Sequence, residues 1–342
     1  MLAARWYGAR DVRLEEVPDP TPRGDEAVVA VEYCGLCGTD LEEYLEGPIN
    51  VPQPPHPVVL GHEIVGRVTQ AAADGSGPPE GSRVVPDVVR GCGRCYWCVR
   101  HEEGQCPQLR VSGLDLDGGL AEYFCAPAAR CVVVPGHVPA DEAVLVEPLS
   151  VAVRAVRKAG SLLGACLVVV GCGTIGLLVV AVARAAGASC VVAVDPVQAR
   201  RDIATGFGAD AAVPPDQGRE ATLRFTGARG ADVVAECSGA KGGVGRALEL
   251  VRNGGQCVLV GFHPGTEEFK LLDVVLSEKQ IVGSAAHMWD DDVVPAVGLA
   301  ASGEVNLGRL VSHRVPLGDV VEAFELLASR DAATLKVVVK VS

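Results

Sequence analysis

Lysine is scarce in this chain, with six residues at positions 158, 241, 270, 279, 336 and 340. Arginine carries most of the positive charge, and alanine, valine and glycine are abundant, a bias we attribute to coding in a GC-rich genome. No Lys/Arg-rich tract is present and the net charge is −13, which argues against a nucleic-acid backbone or an anionic membrane as partner. No uncharged apolar run reaches membrane-spanning length; the closest, residues 167–183, is interrupted by glycines. The first sixteen residues, MLAARWYGARDVRLEE, spread charge throughout and lack the apolar core of a signal peptide. Internal repeats and low-complexity segments are also missing.

What is present fits a folded chain of two domains: 342 residues, 49% hydrophobic and 21% charged. Thirteen cysteines, an odd and clustered count in a long chain, favour metal ligands and reduced thiols in a cytoplasm over disulfides. Up to about residue 150, short apolar runs at 27–34, 63–70 and 82–89 alternate with Pro/Gly-rich segments, a β-rich texture. From about 155 the pattern becomes strand–helix alternation. Strands are expected at 167–170, 190–195, 231–237 and 256–262, and helices at 174–187 and 244–253, giving a parallel, doubly wound α/β sheet. After about 285 that alternation ends in two helices, 293–302 and 319–329, and a final strand able to return to the first domain's sheet.

Three groups of residues carry chemistry. Cys92, Cys95, Cys98 and Cys106 can close four thiolates around one tetrahedral zinc, leaving no position for substrate. Gly171, Gly173 and Gly176 form G-x-G-x-x-G directly after an apolar strand, with Thr174 and Ile175 inside the motif. This is the pattern that lets a pyrophosphate approach a helix N-terminus. Asp195 ends the next strand, where a carboxylate suits the ribose hydroxyls of NAD and repels the 2′-phosphate of NADP. Arg200 and Arg201 follow, read first as a solvated helix face and otherwise as compensation for a 2′-phosphate; Arg200 is counted with the cofactor-binding residues. The third group is Cys37, His62, Glu63 and Glu147, of mixed ligand type. Spacing alone does not establish that they meet, since a lone His or Cys is more often an ordinary buried residue.

The stretches CGLCGTDLEEY, GHEIVG, the four-cysteine lobe, GGLAEYF, EPLSVAV, VVVGCGTIG, VAVD and ECSG occur in this order over nearly the whole chain. In them the chain resembles the zinc-dependent medium-chain alcohol and polyol dehydrogenases, nearest to the butanediol, threonine and sorbitol dehydrogenase branch. The resemblance implies a GroES-like β-rich catalytic domain over 1–152 and 286–342, with a structural zinc lobe at about 91–107. It also implies a Rossmann NAD-binding domain over 153–285. It further implies that Cys37, His62 and Glu147 approach a catalytic zinc, with Glu63 as an exchangeable ligand and Thr39 as a hydroxyl relay. The expected activity is zinc- and NAD-dependent oxidation of a small secondary alcohol, a vicinal diol or polyol, by a homodimer or homotetramer holding two zinc ions per chain. Threonine-like amino alcohols and sugar or cyclitol intermediates are alternatives, as is a non-catalytic NAD(H)-binding protein. The chain departs from the branch at Glu42, where butanediol and threonine dehydrogenases generally carry histidine. Glu42 then either replaces a proton relay, faces the substrate's second polar group, or lies solvated on an exposed turn beside Glu43. Trp289, His287 and Asp290–Asp292 read as a surface loop, with a pocket rim or subunit contact as the other possibility.

Overall fold

The computed structural model describes residues 1–48, 57–263, 265–329 and 331–342. They form two compact units: Met1–Glu147 with His287–Gly303 and Leu307–Ser342, and Pro148–Ala286 with Glu304–Asn306.

The first unit is built on a seven-stranded sheet. Its order is Cys131–Val133, Arg83–Pro86, Glu63–Gln70, Glu26–Gly35, Lys336–Lys340 and Val311–Pro316, with Tyr123–Pro127 also paired to Glu26–Gly35. In Glu26–Gly35 the alternating residues Ala27, Val29 and Val31 enter the core, as a two-residue period requires. Each buried valine contributes about 1.5–3 kcal/mol. The C-terminal strand Lys336–Lys340 lies antiparallel to Glu26–Gly35, with Val338 opposite Gly35. This pairing carries Lys336 into the same neighbourhood as Glu63, whose own strand pairs on the other side of Glu26–Gly35. The apolar run at 82–89 is not one strand: it breaks after Pro86 and turns Asp87 inward, where its carboxylate accepts the Val89 N–H at 2.9 Å.

The second unit holds a six-stranded, wholly parallel sheet in the order Ala211–Val213, Cys190–Val194, Cys166–Val170, Ala231–Glu236, Val251–Leu259, Gln280–Gly283. That is the third, second, first, fourth, fifth and sixth strand of the unit, the doubly wound order. Cys190–Val194 is buried along its whole length, the mark of a strand covered on both faces. The apolar run 167–183 resolves into a strand, a glycine turn and the helix Thr174–Ala185. Among the described residues no helix is long and apolar enough to cross a membrane. The expected helix at 244–253 stops at Leu250, and Val251 already opens the next strand; β-branched valine followed by a glycine pair ends the helical run.

Candidate active site and metal centres

Four thiol sulfurs gather in the lobe after Arg90. Cys95 Sγ lies 3.5 Å from Cys98 Sγ and 3.7 Å from Cys106 Sγ, and Cys92 and Cys98 are 4.0 Å apart. A tetrahedron with zinc–sulfur legs of about 2.3 Å has edges of about 3.8 Å, so the spacing fits one zinc ion. The Arg94 N–H and its neighbours hold the Cys92 thiol down at about 6, while burial and the adjoining thiols push Cys98 up to about 12. All thirteen cysteines are free of disulfide bonds.

The mixed-ligand group begins at the helix Gly38–Glu46. Cys37 is its N-cap, and Asp40, fully buried, accepts the Cys37 N–H at 2.9 Å. The other Asp40 oxygen accepts the Gly61 N–H at 3.2 Å and lies 3.4 Å from His62 Nδ1. Asp40 thus ties the helix start to the Gly61–Glu63 segment and leaves His62 Nε2 available to a metal. Donor atoms of Cys37, His62 and Glu63 lie within 4.8 Å of one another. Asp40 went unremarked in the sequence, although its place three residues after the N-cap is a capping-box position.

Glu63 is wholly buried, and Lys336 Nζ donates to its two oxygens at 2.6 and 2.9 Å and to the Leu36 carbonyl at 2.9 Å. Gly35 makes room for this pair: a Cβ there would lie 2.0 Å from Glu63 Oε2. Burial, with the nearby Glu147, raises the Glu63 pKa against the opposing pull of Lys336. Glu147 stands in the first turn of Val146–Lys158. It lies outside the tight three-residue cluster, and its Oε1 forms an ion pair at 3.4 Å with His287 Nδ1.

His287 corrects an expectation. It is no surface-loop residue but 2% exposed, and its Nε2 lies 3.0 Å from Asp87 Oδ1. Burial would depress its pKa, but the Asp87 and Glu147 carboxylates outweigh that and raise it to about 10. Asp292 is likewise buried, accepting the Met288 N–H at 2.7 Å, while Asp290 and Asp291 are exposed. Local charge density suggested a loop because an acidic run is usually solvated; a π-helical turn at Trp289–Val293 draws one member inward. Glu42 is also placed differently from the bland expectation, half-buried on a helix rather than on an exposed turn, and Glu43 is 1% exposed. Thr39 Oγ1 is 3.8 Å from Cys37 Sγ.

In the second unit, Gly171 has φ +90° and a Cβ there would strike the Ser238 backbone at 2.7 Å. A Cβ on Gly176 would lie 1.8 Å from the Gly171 carbonyl. Gly173, the N-cap of Thr174–Ala185, has nothing within 4 Å of its ideal Cβ position, so space is open before the helix N-terminus. Thr174 and Ile175 are half-buried in its first turn. Asp195 accepts the Cys172 and Val197 N–H groups at 2.7 and 2.8 Å, fixing the loop. Arg201 is no solvated face: its guanidinium folds back on the Asp195 and Pro196 carbonyls at 2.7 and 2.8 Å. Arg200 is half-buried, and its Nε has no hydrogen-bond partner among the described residues.

A lobe of four gathered thiols, a cluster of unlike donor atoms and an open glycine turn before a helix N-terminus are the features a metal- and nucleotide-dependent redox protein needs. Two family models match the chain: the alcohol dehydrogenase GroES-like domain over residues 23–136 and the zinc-binding dehydrogenase over 174–302. Sorbitol dehydrogenase of Bombyx mori is 30% identical over 99% of this chain and 98% of its own length. L-threonine 3-dehydrogenase of Pyrococcus horikoshii is 34% identical over 97% and 95% respectively. A zinc-binding dehydrogenase of Sinorhizobium meliloti, solved with NADP bound, superposes with a TM-score of 0.90 at 30% identity, covering 99% of each chain. The chain belongs to the zinc-dependent medium-chain alcohol and polyol dehydrogenases and is an oxidoreductase of that family.

Proposed function

We propose that the chain oxidises the secondary hydroxyl of a small vicinal diol or polyol to a ketone, reversibly, using NAD and two zinc ions. The observation that carries this reading is the cluster of Cys37, His62 and Glu63, three unlike donor atoms within 4.8 Å of one another, with Glu63 the ligand that would give way to substrate. A zinc ion there supplies Lewis acidity that eases loss of an alcohol's proton, and the nicotinamide supplies the hydride acceptor. The chain's own residues do the rest. Asp40 orients Cys37 and His62, and Lys336 holds Glu63 as an anion whose release to a metal is adjustable. Glu147 is the second carboxylate of the site. The Thr39 hydroxyl, beside Cys37, receives the departing proton and passes it toward solvent. Glu42, one helical turn further on, faces the second polar group of the substrate.

The glycine turn, with Thr174 and Ile175, receives the pyrophosphate, and Asp195 favours the ribose hydroxyls of NAD. Arg200 is the cation next to that ribose position. Four thiolates hold the structural zinc. The first unit is then the catalytic domain and the second the cofactor domain. A homo-oligomer is supported by an exposed apolar face on the helix Leu271–Leu276, which precedes the edge strand Gln280–Gly283 in the chain: Leu271, Leu272, Val275 and Leu276 are 61–75% exposed.

A second reading, an amino-alcohol substrate, is favoured by one observation, the carboxylate at Glu42, which could pair with an ammonium group. Screening diols, polyols and amino alcohols with NAD and with NADP, following reduced nicotinamide absorbance, tests both. Turnover of diols with NAD is expected. Turnover of none, together with about one zinc per chain, would leave a non-catalytic nucleotide-binding protein.

A further inference from the structure

Glu147 stands at one end of a row in which acidic and basic side chains alternate. His287 Nδ1 stands 3.4 Å from Glu147 Oε1, and His287 Nε2 stands 3.0 Å from Asp87 Oδ1. Arg130 Nη1 lies 3.4 Å from Asp87 Oδ2, and Arg130 Nη2 bonds Glu103. Glu103 belongs to the four-cysteine lobe, where its carbonyl accepts the Cys106 N–H at 2.9 Å. An independent contact runs the same way. The Gly104 backbone lies against the segment bearing His287: a Cβ on Gly104 would be 3.1 Å from the His287 carbonyl and 3.2 Å from Met288 Cε. The Arg130 guanidinium also sits over the Trp289 ring at 5.7 Å.

We propose that this row couples the two metal sites, the lobe's metal fixing Glu103 and Glu103 setting Glu147 at the open site through Arg130, Asp87 and His287. The inference rests on the reading of Glu147 as a carboxylate of the catalytic metal. Each inner member touches a carboxylate or a basic group on both sides, and Asp87 and His287 are only 3% and 2% exposed, while Arg130 is 25% exposed. Removing Glu103 leaves the part-exposed Arg130 guanidinium with Asp87 as its remaining carboxylate partner, and the relief is for Arg130 to move toward the buried Asp87. With Glu103 neutralised, Arg130 draws on Asp87 alone, Asp87 leaves His287, and His287 turns to Glu147. His287 is therefore a positioning residue, acting on the metal through Glu147.

The test uses the full chain with zinc in the lobe and cobalt at the open site, in wild type, Glu103→Gln, His287→Gln and the double variant. Visible cobalt absorption, cobalt affinity by chelator competition and lobe zinc content are read together. Glu103→Gln should keep its lobe zinc, shift the cobalt bands and weaken cobalt binding about threefold; His287→Gln should weaken it about tenfold. The double variant should bind no worse than His287→Gln, because the row is already cut. Unchanged bands and affinity in Glu103→Gln, or full additivity in the double variant, overturns the coupling. Should Glu103→Gln shed lobe zinc, the same cycle with Arg130→Gln decides by the same two outcomes. Failure of the underlying reading looks different: Glu147→Gln would then leave the cobalt bands where they are in wild type.

Discussion

Lys336 and Glu63 form a buried ion pair at 2.6 and 2.9 Å across 273 residues of sequence. A metal drawn to Glu63 competes with the ammonium for the same carboxylate. Removing one partner of a buried pair costs about 3–5 kcal/mol. Lys336→Met should therefore lose stability of that order in the metal-free protein and recover much of it on zinc addition, because the cation at Glu63 is replaced. Denaturant titrations with and without zinc measure the gap. An equal loss in both states would refute metal access to Glu63.

The lobe makes a separate prediction. Cys95 touches two of the other thiols, so Cys95→Ser should bring metal content from about two zinc to about one per chain. Metal analysis and melting temperature check it.

Two glycines of one motif should fail in opposite ways. Gly176→Ala forces a Cβ to 1.8 Å from the Gly171 carbonyl and should destabilise the second unit by several kcal/mol, about the cost of overpacking a tight core. A Cβ on Gly173 meets nothing within 4 Å, so Gly173→Val should fold normally while losing NAD binding about tenfold or more, since its branched side chain would occupy the space a pyrophosphate needs. Thermal denaturation and NAD titration, run side by side, separate the two.

Glu42 is half-buried on the helix that Cys37 caps. Glu42→Gln should raise KM for diols about tenfold to a hundredfold with kcat changed less than about twofold, the cost of one hydrogen bond to a charged group. A fall in kcat with a displaced pH profile would instead assign Glu42 to proton transfer. Kinetics unchanged from wild type in both Glu42→Gln and Glu42→His would remove it from the site.

Leu272 and Leu276 are 65% and 75% exposed on the helix Leu271–Leu276. Leu272→Glu with Leu276→Glu should convert an oligomer to a smaller species by light scattering, with the fold retained by circular dichroism. A wild-type monomer would sink the idea.

What the sequence determined by itself was local in the chain. Four cysteines within fifteen residues and a glycine triplet between a strand and a helix encode their geometry through short spacing, where a few dihedral angles decide which atoms meet. The strand–helix alternation of the second unit was legible for the same reason, because periodicity survives in a single segment. The tertiary structure decided the rest. Cys37 and His62 meet because Asp40 bonds both segments; Glu63 meets Lys336 because the last strand pairs with Glu26–Gly35; and His287 lies between Asp87 and Glu147 because the chain breaks after Pro86 and turns Asp87 inward. No residue spacing announces such contacts. A buried charge is tolerable only when its partner arrives from elsewhere in the chain, and strand pairing rather than sequence proximity brings that partner.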